Sequence, residues 1–196
     1  TCAGITSVAV HNGIVAVAIQ APVKTDNGRM ALYKASDLTL LGSVVVGALP
    51  DMVTFTPDGR TVLVANEGEP SDDYQIDPEG SVSVIDVSDP TKPVARTADF
   101  TAFNGQEAAL RAKGVRIFGP GANAAKDVEP EYIAVSADGK TAWVTLQENN
   151  ALAKIDITTA KVTDVIALGY KDHGVAGNEL DVSDTDLKAD IKTWPG

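Results

Sequence analysis

The stretch Pro50–Gly68, PDMVTFTPDGRTVLVANEG, returns almost in register as PEYIAVSADGKTAWVTLQE from Pro130 to Glu148. A shorter third copy, TSVAVHNGIVAVAIQA, runs from Thr6 to Ala21. Each copy alternates apolar and polar residues, turns at Asp-Gly or Asn-Gly, and alternates again. Such alternation marks a half-buried strand, and Asp-Gly or Asn-Gly between two alternating runs marks a tight hairpin. Each copy is followed by a further alternating run: GRMALYKAS, GSVSVIDVS and NALAKIDITTA. Repeats built only of short strands read as blades of a β-propeller.

The expected fold is all-β, a β-propeller segment of about three four-stranded antiparallel blades that belongs to a larger ring. One partial propeller domain spans residues 1–196, with blades roughly over 5–47, 50–100 and 130–168 and an irregular tail over 169–196. In Val62-Leu63-Val64-Ala65 the run is continuously apolar, which predicts a strand covered on both faces. The turns Thr-Pro-Asp-Gly-Arg and Ser-Ala-Asp-Gly-Lys assign Asp58 and Asp138 to turn formation and place Gly59 and Gly139 where φ is positive. Typical rings need about four to eight blades, so three leave raw edges. The expectation is therefore that more blades, from the same protein or from a neighbouring subunit, complete the ring.

Two insertions break the repeat. One runs from Asn66 to Gly80, the other from Phe100 to Val128. The second carries an expected short helix over Gln106–Lys113, with Asn104 as N-cap and Gly114 as its stop. Insertions in repeat proteins map to loops, often on one functional face.

Composition narrows the function. The formal net charge is −11 over 196 residues. That charge disfavours nucleic-acid phosphates and anionic membrane surfaces, and suits divalent cations. No apolar run is long enough to insert in a membrane. The single cysteine, Cys2, cannot form an internal disulfide; it is either free or paired outside the chain. With two histidines, His11 and His173, and one cysteine, a zinc site is disfavoured. No G-x-S-x-G elbow is present for either histidine to serve.

The insertion NEGEPSDDYQIDPEG is the main site candidate. Glu67, Glu69, Asp72, Asp73 and Asp77 are the candidate metal ligands, and the loop's own sequence holds no Lys or Arg. Calcium takes six to eight oxygens from carboxylates, carbonyls and water, a chemistry this loop could supply. The alternative is a solvated acidic loop. Asn66 and Glu67 leave directly from a strand and are expected to point toward the face of the ring. Asp51 and Glu131 occupy equivalent positions where chain enters the second and third blades. They either line the axial channel or bond blade to blade. The tail motif Asp181-Val-Ser183-Asp184-Thr-Asp186 lacks the glycine and glutamate register of an EF-hand, so a loop role is expected. Gly119-Pro-Gly121-Ala-Asn-Ala124 matches G-x-G-x-x-A after a strand-like run, but no crossover follows, so no dinucleotide site is expected.

Taken together, SVAVHNGIVAVAI, VGALPDMVTFTPDGRTVLVANEGEPSDDY, DPEGSVSVIDVS, GVRIFGPGAN, EPEYIAVSADGKTAWVTLQENNALAKID, LGYKDHG and the DVSD…WP tail resemble the choice-of-anchor I family of bacterial surface proteins. Its relatives include the mesenchyme-specific cell-surface glycoprotein, and some members carry the label alkaline phosphatase. The resemblance implies a longer propeller, extracellular or at the cell surface, with the periplasm as the other compartment. It carries over no catalytic residues. Relatives tend to have Asp-Gly after the tail's acidic cluster; this chain has Asp186-Leu187. The functional expectation is a calcium-binding module that binds a surface or matrix partner; the alternative is a calcium-dependent, alkaline-phosphatase-like phosphoesterase, and whether it is an enzyme stays open.

Overall fold

The computed structural model describes residues 4–183 and 185–194; Cys2 and Asp184 lie outside them. Twelve strands form three four-stranded sheets, each a simple antiparallel meander. The first holds β1 (Gly4–His11), β2 (Ile14–Gln20), β3 (Asn27–Lys34) and β4 (Leu40–Ala48). The second holds β5 (Pro50–Phe55), β6 (Thr61–Asn66), β7 (Ser81–Asp86) and β8 (Val94–Asp99). The third holds β9 (Ile133–Val135), β10 (Thr141–Leu146), β11 (Ala151–Asp156) and β12 (Lys161–Ala167). These are three four-stranded antiparallel blades, the fold class that the repeats predict.

The Asp-Gly turns close as their chemistry dictates. Gly59 and Gly139 adopt φ of +69° and +68°. Asp58 accepts from the Thr56 hydroxyl and the Arg60 amide, and Asp138 accepts from the Ser136 hydroxyl and the Lys140 amide. Both aspartates are turn formers. Their hydrogen bonds hold each carboxyl below its usual range, Thr56 contributing most at Asp58 and Ser136 at Asp138.

Strand alternation builds the core. Along β6, Val62 and Val64 point to the first blade, where they join Ala16, Ala18, Met30 and Leu32. Leu63 and Ala65 point the other way and pack with Ile133, Val144 and Ile155 of the third blade. All four β6 residues are fully buried, which is why the run is continuously apolar. Val62, Leu63 and Val64 each contribute roughly 1.5–3 kcal/mol when removed from water, and Ala65 less. The second blade is thus clamped between its neighbours, each face carrying one hydrophobic cluster. Polar contacts add register: the Thr6 hydroxyl donates to the Pro50 carbonyl and the Val53 amide donates to Ser7 Oγ at 3.2 Å.

The outer blades are covered on one side only. On β1, Ile5, Val8 and Val10 are exposed, Val10 to 65%. On the third blade, Tyr132, Trp143 and Ile166 are exposed.

The second insertion folds as a short 3-10 turn (Thr101–Phe103), α1 (Glu107–Ala112) and α2 (Ala124–Asp127). Helix α1 replaces the expected span Gln106–Lys113, and Gly114 ends it with φ of +97°. Asn104 is not its cap; Gln106 occupies that position without a side-chain bond. The Asn104 carboxamide instead accepts from the Ala125 amide at 2.9 Å, at the start of α2. Sequence spacing pointed to the nearer helix, whereas the chain folds back and presents Asn104 to the farther one. Phe100, Leu110, Val115, Ile117, Ala125 and Val128 bury this insertion between the second and third blades. No helix among the described residues is long and apolar enough to cross a membrane.

Candidate functional site: a carboxylate cluster where the blades meet

Three chain segments converge where the blades enter. Asp51 sits in the irregular start of β5, where the pairing register shifts between Pro50 and Met52. Glu67 follows β6 directly, and its amide donates to the Leu49 carbonyl at 3.0 Å. Glu131 precedes β9, and its amide donates to the Thr145 carbonyl at 3.0 Å. One carboxylate oxygen from each of Asp51, Glu67 and Glu131 lies within 4.8 Å of the other two.

A glycine makes the convergence feasible. Gly80 closes the first insertion, and a Cβ there would collide with the Val128 carbonyl oxygen and stand 2.8 Å from Pro130 Cδ and 3.1 Å from the Glu67 carbonyl. Its amide donates to the Ala125 carbonyl at 2.9 Å, joining the two insertions. Any larger residue would force the backbone of the two insertions apart.

Clustered like charges disfavour ionisation. Burial, reinforced by the charges of Asp51, Glu69, Glu131 and Glu129, pushes Glu67 up to about 8. Burial and the Glu148 charge raise Glu129 to about 7. Burial and a hydrogen bond with Glu148 raise Glu131 to about 7. Burial alone raises Asp51.

The five ligands expected from the first insertion do not stay together. Glu67 enters the cluster. Glu69 and Asp72 pair with Lys24 Nζ at 3.1 and 3.3 Å, and Asp72 is otherwise fully exposed. Asp73 accepts from the Ser71 hydroxyl at 2.7 Å and the Gln75 amide at 3.1 Å, a local turn. Asp77 is turned toward Lys126 and Asp127, and burial raises it. The loop has no cation of its own, but Lys24 reaches it from the β2–β3 connection. That partner is 45 residues away in the chain, so spacing within the loop could not reveal it. Sequence reasoning also passed over Glu129 and Glu148; the run Glu129-Pro-Glu131 was the available signal for the first.

Beside the cluster lies an open cavity of about 330 Å³. The two insertions form its walls, with Tyr74 and Asp77 on one side, Phe118 and Lys126 on the other, and Glu129 and Glu148 at its edge. Arg116 stacks over Phe118, 4.9 Å from the ring centroid. Asp127 is buried and accepts from the Phe118 and Gly119 amides, so it shapes the loop at the cavity wall. The G-x-G-x-x-A run ends in the four-residue α2 and feeds no parallel strand, as expected for a chance match. His11 stacks on Phe55 at 5.5 Å, and His173 Nδ1 bonds the Asn178 carbonyl at 2.6 Å. Both histidines act as packing and loop residues.

A model of the choice-of-anchor I domain matches residues 1–195. The chain belongs to the choice-of-anchor I family. No curated protein matches it significantly. Among solved structures, this choice-of-anchor I chain is similar to the Cps50 (Swd1) β-propeller domain of Myceliophteria thermophila. The TM-score is 0.56 at 12% identity, over 86% of this chain and 44% of that one. It is also similar to a functionally unknown protein of Desulfotomaculum acetoxidans DSM 771, with TM-score 0.54, 8% identity, and coverage of 85% and 43%. A third similar structure is the hydrazine synthase of Kuenenia stuttgartiensis, with TM-score 0.49, 12% identity, and coverage of 77% and 39%. At 12% identity the likeness to the Cps50 (Swd1) domain shows the β-propeller fold and nothing of the chemistry. The choice-of-anchor I chain spans less than half the length of each of these proteins.

Proposed function

We propose that this choice-of-anchor I chain is a cell-surface or extracellular β-propeller module that holds a divalent cation, calcium, on its acidic face and binds a surface or matrix partner there. The observation that carries the reading is the convergence of carboxylates from separate segments at the entry of the blades. Carboxylates forced together this closely repel one another, and a hard divalent cation relieves that repulsion with oxygen ligands alone. Further β-sheet, from the same protein or a neighbouring subunit, covers the apolar Val8 and Val10 face of the first blade. Exposed strand faces of this kind are interaction surfaces or aggregation sites.

The geometry favours binding over phosphoester hydrolysis. A phosphate approaching the cluster meets Asp51, Glu67 and Glu131 first, and Lys24 is already engaged by Glu69 and Asp72. The test is a melting experiment on the intact protein in millimolar calcium and in chelator. A cation bound only by the folded state adds about 2.7 kcal/mol at a hundredfold excess over Kd. The melting temperature should rise with calcium and return with chelator; no change rejects the cation reading.

A further inference from the structure

Each contact between blades joins two unlike faces. Val62 and Val64 of β6 look back to the first blade, and Leu63 and Ala65 look forward to the third. The two uncovered faces are therefore also unlike: the first blade exposes a backward face and the third a forward one. On the first blade, the strand register puts Ile5, Val8 and Val10 of β1 on one face with Leu40 and Val45 of β4. All five are exposed, from 48% to 65%, and Arg29 is the one charged residue paired across that face. On the third blade, Trp143 is the third residue of β10, the place that Leu63 holds in β6. Leu63 is fully buried against the following blade, whereas Trp143 is 38% exposed, with Tyr132 and Ile166 exposed on the same face.

We infer that a second copy of this chain covers both faces, docked head to tail so that Trp143 of each copy packs on the Val8 and Val10 face of the other. The inference rests on the reading above that β-sheet covers the first blade, and it names that sheet. A second copy brings one uncovered face of each kind, so each new contact repeats the forward-on-backward packing that already joins the second blade to the third. Area favours two contacts over one. Strands of seven to nine residues in a four-stranded sheet span about 23 by 19 Å, or about 440 Å² per face. One contact then buries about 900 Å² in total, short of the roughly 1,200 Å² of a stable interface, whereas two bury about 1,800 Å². A dimer joined through its first blades alone would have one contact and leave Trp143 uncovered. Two copies of three blades make six, inside the roughly four to eight of closed rings. Head-to-tail contacts of this kind form rings when the rotation closes and filaments when it does not.

The experiment is sedimentation equilibrium, with circular dichroism and melting as the check on folding. Four samples are compared: the native chain, Trp143→Glu, the pair Val8→Lys with Val10→Lys, and an equimolar mixture of the two variants. The native chain should reach twice its chain mass and stop there. Each variant alone should dissociate about tenfold more readily or worse, because a buried aromatic anchor and its seat carry most of a contact's energy. In the mixture one contact joins two unaltered faces and the other sets Glu against Lys, so heterodimers should form at concentrations where each variant alone is monomeric. A dimer untouched by Trp143→Glu would overturn the head-to-tail arrangement, and growth beyond two copies would overturn the closed ring. A native chain that stays monomeric would overturn the second copy. If that monomer binds a hydrophobic dye and the Val8 and Val10 pair abolishes the binding, the covering reading stands with another sheet as occupant; if no dye binds, both fall.

Discussion

Asn149 ties the second insertion to the third blade through Asp127. The fully buried Asn149 side chain donates from Nδ2 to the Asp127 carbonyl at 2.8 Å and to the Arg116 carbonyl at 2.9 Å. Its Oδ1 accepts from the Glu129 amide at 3.2 Å. One side chain therefore fixes the backbone on both sides of Val128, three residues before the chain reaches Glu131. Asn149→Ala should lower stability by about 1–3 kcal/mol, because the carbonyls it serves stay buried without a donor. Urea unfolding at fixed calcium checks this; a loss under half a kilocalorie per mole would show that water replaces the amide.

The two Asp-Gly turns make a paired test of backbone strain against packing. Gly139 has φ of +68°, and a Cβ there would meet only Pro57 and Thr56 at ordinary distances of 3.7 and 3.8 Å. Gly139→Ala should therefore cost only the left-handed conformation, about 1–2 kcal/mol. Gly59 has φ of +69°, but a Cβ there runs into the His11 ring, which in turn stacks on Phe55. Gly59→Ala should destabilise more than Gly139→Ala in denaturant titrations. Equal losses would mean that the His11 ring moves aside freely.

Stability without calcium should fall as pH rises. Glu67 sits at about 8 in the folded chain, and Glu129 and Glu131 at about 7, all above their ordinary value of 4.5. The folded state thus binds more protons than the unfolded state between these limits, and stability declines with pH wherever that holds. The stabilising contribution is complete below about pH 4.5 and is lost as pH climbs through about 7 to 8. Carboxyls held low by turn hydrogen bonds, such as Asp58 and Asp138, act in the opposite sense, and only below their ordinary range. Melting scans in chelator should show a downward slope from pH 5.5 to pH 8.5, and Glu67→Gln should flatten it. A flat native profile would contradict the clustered geometry.

The exposed β1 face should govern association. Val8 and Val10 are on the outer side of the first blade, while Ala9 between them turns to the core. Replacing Val8 and Val10 together by Lys should raise the monomer fraction of the isolated chain in light scattering, with little change in melting temperature. If the native chain is already monomeric at all concentrations, this face needs no cover.

The blades were legible in the sequence because their signals are local. Alternation, the Asp-Gly turns and the doubly buried Val62–Ala65 run each depend on residues within one hairpin, and the same chemistry recurs in every copy. The prominence of Glu67 was also legible, since it leaves a strand whose direction the pattern defines. Asp51 and Glu131 also stand out at the blade entries, but their meeting with Glu67 was not legible: they come from other segments, and only the packing of the second blade against the third brings the three within 4.8 Å. Likewise, Lys24 and Asn104 find partners that sequence spacing does not indicate, because chain folding rather than chain distance decides which charges and amides meet. The sequence by itself determined the repeating strand unit and its turns. The tertiary structure alone decided which acids face one another, since that depends on how neighbouring blades stack.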